Sequence, residues 1–249
     1  MSEQFDVRKI LEKVGAFAEG HFVYKSGRHG SVYINKDTLG KLGAFELNKV
    51  LVEVARNFFY KTRTHFEPES KVTIIGPAYG AIQYVPPVCL FLEECFASTG
   101  VMLRPGRTQL RPKSDGKGEE HYFPEKLIET YADSDEFVVM EDIVNMGSTI
   151  REVNELTLKT FGKPVKKAFC IVSRGGQTAE SLGIEEFHPL ADVLMPQYDP
   201  RTSDGLNIIN QLGDISLKLG KGKGWVEMFG QPPYELGTDF STYVFNDGI

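Results

Sequence analysis

A chain of 249 residues, 41% hydrophobic and 25% charged, is long enough to bury a substantial core and has the balance of an ordinary globular protein. Its formal net charge of −6 argues against a protein that wraps a nucleic-acid backbone, so any anionic ligand must meet a local positive patch. Cys89, Cys95 and Cys170 have neither zinc-pair spacing nor a disulfide framework, and read as reduced thiols suited to the cytoplasm. The first residues lack a basic-then-apolar leader. The most apolar stretch, 81–92, is too short to span a bilayer and contains Pro86-Pro87.

In chain order, Val7, Ile10, Leu11, Val14 and Phe17 fall at helical spacing, which predicts a helix over 6–18 with Asp6 as its N-cap. Residues 21–35 read as extended, with turns at Gly27 and Gly30. A second helix is expected over 45–60, with Leu47, Val50, Leu51, Val54 and Phe58 on one face. Residues 63–70 read as a polar loop. Short buried strands are predicted at 72–75, 101–103, 137–140 and 168–172. The stretch 76–80 reads as a turn, and a helix over 150–161 is stopped by Gly162 and Pro164. Residues 105–124 are polar and read as a long loop of the kind that forms a lid. Strands alternating with helices predict an α/β fold with a parallel sheet, whose ligands bind beyond the carboxyl ends of the strands. Residues 199–249 show no repeat and are expected as a C-terminal extension on a domain of residues 1–198.

The segment Phe137–Thr149, F-V-V-M-E-D-I-V-N-M-G-S-T, carries the clearest chemistry. An apolar strand runs into Glu141-Asp142, and a short loop with Gly147 leads to Ser148-Thr149 at the start of a helix. Paired carboxylates suit the vicinal hydroxyls of a ribose. A helix N-terminus offers unpaired N–H groups and a positive dipole end to a phosphate. A plain strand–helix turn with a solvated acid is the competing reading, and the order of the parts favours a 5-phosphoribose site. No G-x-G-x-x-G follows a strand, which argues against a dinucleotide dehydrogenase.

This segment resembles the phosphoribosyl diphosphate signature of the type I phosphoribosyltransferases. Asn145-Met146 stands where that family has Thr-Thr or Thr-Ala. Tyr24-Lys-Ser-Gly-Arg28 with Tyr33-Ile-Asn35 resembles the N-terminal signature of the orotate enzymes, with Ile34 in place of a second aromatic residue. Ile75–Gly80 resembles the diphosphate loop, with Gly80 where a Lys is common. Arg111–Glu119 resembles the mobile lid, with Lys117 where the pattern has His, and Val172-Ser-Arg174 resembles a strand end that sits against the base.

The resemblance, from about residue 10 to 185, implies a Rossmann-like parallel-sheet core with a small hood. It also implies transfer of a phosphoribosyl group to orotate, for pyrimidine biosynthesis. It assigns Lys25, Arg111, Lys113 and Lys117 to the diphosphate, and Glu141 and Asp142 to the ribose. Asn145, Met146, Gly147, Ser148 and Thr149 would cradle the 5-phosphate. Ala78, Tyr79 and Gly80 would form the diphosphate loop, with Tyr33, Ile34 and Arg174 beside the base. Magnesium is expected through the substrate, without direct protein ligands, and a homodimer would exchange lids. The alternatives are a phosphoribosyltransferase for another base, such as a purine, and a non-catalytic binder of phosphoribosyl diphosphate.

Overall fold

The computed structural model describes residues 7–13, 15–24, 26–35, 42–62 and 65–243. Lys25 and Asp6 lie outside them. The chain forms two compact units, one of Met1–Leu42 with Leu194–Ile249 and one of Gly43–Val193. The sequence boundary at 198/199 thus meets observed boundaries at 42/43 and 193/194. Among the described residues, no helix is long and apolar enough to cross a membrane.

The unit Gly43–Val193 is built on the predicted parallel sheet. Its strands are β3 (Lys71–Gly76), β4 (Met102–Arg107), β7 (Glu136–Val144), β8 (Val165–Ser173) and β9 (Glu186–Asp192), in the order β4-β3-β7-β8-β9, all parallel. Central parallel strands are covered on both faces, which is why β7 and β8 are near-continuous apolar runs: Phe137–Met140 and Ala168–Val172 are all essentially inaccessible. The predicted second helix is α2 (Ala44–Thr62). Its Val50, Leu51, Val54 and Phe58 are buried, and Leu47 is half-buried. Phe58 stacks on Phe169 at 4.3 Å between ring centroids. Each such fully buried side chain contributes about 1.5–3 kcal/mol over an exposed one.

The helix α3 (Val85–Phe96) follows β3, and α5 (Ser148–Phe161) follows β7. Gly162 ends α5 in the left-handed region, its N–H donating to the Leu158 carbonyl, as the sequence predicted. In this unit α3, α4 (Glu125–Tyr131), the short α6 (Ala179–Leu182) and strand β9 had no predicted counterpart. The expected long loop over 105–124 is corrected. Strand β4 runs on to Arg107, and β5 (Gln109–Pro112) and β6 (Glu119–Tyr122) pair as an antiparallel hairpin, with Arg111 opposite Glu120.

In the other unit, α1 (Val7–Lys13) is shorter than the predicted helix. Gly15, at φ 69°, turns the chain, and Phe17 and Ala18 already belong to β1 (Phe17–Val23). β1 pairs antiparallel with β2 (His29–Ile34). Gly27 makes the expected turn, but Gly30 lies within β2, opposite Phe22. Gly30 is needed for close approach instead: a Cβ there would come within 2.3 Å of the Tyr24 hydroxyl.

The C-terminal segment supplies α7 (Ser203–Ile209) and α8 (Gly222–Phe229). It builds a small core around the fully buried Trp225, with Val23, Leu206, Ile209, Ile215, Tyr234 and Phe240. Beside this core, His21 Nδ1–H donates to the Gly213 carbonyl at 2.7 Å, so His21 Nε2 accepts from His29 Nδ1–H, also at 2.7 Å. Burial, and then the neighbouring His21, push the His29 imidazole down to about 3.

Candidate active site

The acid pair lies in the last turn of pleat of β7, the middle strand of the sheet, where a long buried run delivers it to the carboxyl edge. Glu141 and Asp142 are nearly covered, 8% and 9% exposed. Asp142 Oδ1 accepts the N–H of Ile143 at 2.7 Å, which fixes the carboxylate. The loop after β3 comes down on it. A Cβ built on Gly80 would stand 2.6 Å from Asp142 Oδ2 and 2.8 Å from Oδ1. The glycine is therefore what lets this backbone reach the acid, and a lysine cannot occupy the same loop position without displacing the loop or the carboxylate. Burial, and then the negative charge of Asp142, push the phenol of the buried Tyr84 above its ordinary value.

Beyond the acids the chain turns through Asn145 and Met146, both exposed, into the N-terminus of α5. Gly147 is its N-cap, at φ 71°, and a Cβ there would come within 2.0 Å of a Leu182 methyl carbon. Left-handed backbone and a close neighbour both require glycine. No side chain caps this end, so the first N–H groups of a 14-residue helix are left to an anion, with Ser148 exposed and Thr149 half-buried.

In the loop after β3, the Ala78 N–H donates to Thr108 Oγ1 at 3.3 Å, the Ala78–Tyr79 peptide is cis, and Tyr79 is 74% exposed. The Ala78 N–H thus has a partner within the protein. On the hairpin, Arg111 Nε–H donates to Glu120 Oε1 at 2.8 Å with the guanidinium 5.1 Å from the Tyr122 ring centre. Lys113 and Lys117 are exposed around the hairpin turn, where the Lys117 N–H donates to Asp115 Oδ1. Arg174 follows β8, its N–H donating to the Val144 carbonyl at 2.9 Å, so the ends of β7 and β8 are tied together.

The geometry therefore unites the acid pair, the loop at 76–80, the hairpin base and the start of α5 at the carboxyl edge of one sheet. Tyr33 and Ile34 belong to the other unit. Tyr33 is half-buried, with its ring 5.5 Å from that of Phe22, whereas Ile34 is 1% exposed and turned into its own core. Three side chains that the sequence did not single out take part in the scaffold: Thr108, His121 and Glu152. Among the described residues, no group of three or more His, Cys, Asp and Glu is arranged to hold a metal ion.

No family model matches the chain. The orotate phosphoribosyltransferase of Thermotoga maritima is 30% identical over 198 residues, covering 78% of this chain and 88% of that protein. The chain belongs to the orotate phosphoribosyltransferase family. The enzyme of that name from Bartonella henselae is 29% identical over 171 residues, covering 69% of this chain and 76% of its own. Among solved structures, orotate phosphoribosyltransferase from Aeropyrum pernix superposes with a TM-score of 0.54 at 23% identity, over 75% of this chain and 93% of that one. The Francisella tularensis enzyme gives 0.50 at 15% identity, over 74% and 84%. These structures share the fold, and the family's acid-pair signature falls here on the edge of β7 where the geometry assembles.

Proposed function

We infer that this protein transfers the 5-phosphoribosyl group of 5-phosphoribosyl diphosphate to a ring nitrogen of orotate, releasing diphosphate, as a step of pyrimidine nucleotide synthesis. The carrying observation is the nearly buried Glu141-Asp142 pair at the edge of β7, directly ahead of an uncapped helix N-terminus. In the reaction the bond from the anomeric carbon to diphosphate breaks and its electron pair leaves with diphosphate. A bond from the base nitrogen forms at the same carbon, and the proton that nitrogen carried passes to the departing diphosphate or to solvent. The protein's task is to position two substrates, stabilise the leaving charge and exclude water.

Glu141 and Asp142 orient the ribose hydroxyls and offset the positive charge that develops on the ring. The start of α5, with Asn145, Ser148 and Thr149, takes the 5-phosphate. Lys113 and Lys117, exposed on the hairpin, and Arg111, once it exchanges Glu120 for an anion, meet the diphosphate together with Lys25. Arg174 and Tyr33 are assigned to the base. The oxygen donors of the acid pair suit a hard cation, and magnesium carried on the substrate's oxygens would draw negative charge from the leaving group. A homodimer with exchanged lids would give the exposed lysines a site to close on. The three free thiols are compatible with the cytoplasm.

The test is to mix the protein with magnesium, 5-phosphoribosyl diphosphate and orotate and to follow orotate absorbance. Orotate is consumed and diphosphate appears in equal amount. Turnover of a purine base instead would overturn the choice of base, and binding of 5-phosphoribosyl diphosphate without release of diphosphate would overturn the enzyme.

A further inference from the structure

We propose that Thr108 and His121 are positioning residues that join the loop at 76–80 to the lid hairpin and so set the affinity of the site for the diphosphate end of its substrate. Thr108 is the residue between β4 and β5, where the parallel sheet gives way to the hairpin, and it is completely buried. Its Oγ1 accepts the Ala78 N–H at 3.3 Å and lies 2.8 Å from His121 Nδ1 on β6. The backbone N–H of His121 donates to Glu152 Oε1 at 2.8 Å, four residues into α5 from Ser148. One hydrogen-bonded chain thus links the loop, the hairpin and the helix that opens at Gly147.

The Ala78 N–H can only donate, so Oγ1 accepts there. The hydroxyl keeps a proton and a second lone pair, so it can meet His121 Nδ1 as donor or as acceptor, according to the tautomer of the ring. Burial lowers the affinity of the ring for a second proton, against the opposing charges of Glu152 and Glu119. Thr108→Val keeps the branched shape and removes both bonds.

The loop so released is the one whose Gly80 rests on Asp142, so its drift changes the approach of diphosphate and ribose to the acid. Orotate is assigned to other residues and should not sense the change. A purely structural role for the pair would instead lower stability and weaken both substrates alike.

The inference rests on the proposed reaction, and the test separates the two. Wild-type protein, Thr108→Val and Thr108→Ser are compared in steady-state kinetics with each substrate varied in turn, in calorimetric binding of 5-phosphoribosyl diphosphate with magnesium, and in thermal unfolding. Loss of one such bond corresponds to about tenfold. Thr108→Val is expected to raise the KM and Kd for 5-phosphoribosyl diphosphate by that factor. The KM for orotate stays within about twofold, thermal unfolding shows that the variant is folded at the assay temperature, and Thr108→Ser recovers the wild-type values. Should Thr108→Val fail to fold, His121→Leu is expected to show the same rise and His121→Asn, whose amide oxygen can take the hydroxyl proton, to avoid it. Unchanged affinity in the folded variants, equal weakening of both substrates, or no recovery in the serine and asparagine variants would overturn the inference. A wild-type protein that ignores orotate would refute the reaction, while the calorimetric comparison would still decide the role of Thr108.

Discussion

Strand β7 begins and ends in acids, and its two ends treat them in opposite ways. At the amino end, Glu136 pairs with Lys167, whose side chain is 3% exposed and whose ammonium lies 4.5 Å from the Phe66 ring centre. Next to it on β9, the two oxygens of Glu186 meet His65 at 2.8 Å and His188 at 2.9 Å. At the carboxyl end, Asp142 is held by a backbone N–H and approached by a glycine. Charges at the amino end are matched by side chains of the same fold and hold the sheet together. At the carboxyl end the surroundings are shaped around a carboxylate, which suits a ligand.

The largest effect that separates the two ends is expected from Lys167→Met. It leaves the partly buried Glu136 without its cation and should cost about 3 kcal/mol in urea unfolding while leaving the KM values alone. A cost no larger than that of an exposed pair would remove the distinction. Next, Asp142→Asn should lower turnover about 100-fold or more with little change in the urea midpoint. Loss of stability in step with activity would make Asp142 another structural acid.

The smallest effect concerns pH. Burial pushes the Glu186 carboxyl up, but the hydrogen bonds to His188 and His65 outweigh it and hold the group below its ordinary 4.5. Its contribution is therefore complete above pH 4.5 and is lost as the pH falls through the lowered folded value. Glu186→Gln should flatten the acid side of the stability profile below about pH 5, by no more than about 1.4 kcal/mol per pH unit. An unchanged profile would show that the two histidines do not hold this acid.

What could be read in the sequence follows the same division. Residues 72–75, 137–140 and 168–172 declared themselves because strands buried on both faces must be apolar throughout. The carboxyl end of β7 was legible because an acid pair, a glycine and a Ser-Thr pair occur in one contiguous segment. The family resemblance rested on such contiguous pieces. The hairpin was hidden because its strands, Q-L-R-P and E-E-H-Y, are four residues each and mostly polar, with no apolar alternation to mark a strand. Strand β9 carries Pro189 and is half-exposed, as an edge strand allows, and so looked like a loop. The first helix was overextended because Phe17 continued the helical spacing past Gly15, whose positive φ ends it. The Thr108–His121 link joins residues thirteen positions apart, neither of which carries a signature of its own.

The small core around Trp225 imposes an order on biogenesis. Val23 and the neutral His21–His29 pair are closed over by residues 198–240, so the contacts that complete the first hairpin are among the most distant in sequence that the chain makes. Non-local closure of this kind is slow compared with local pairing. During synthesis, the β1–β2 hairpin must wait for the entire parallel sheet to leave the ribosome before it acquires these neighbours.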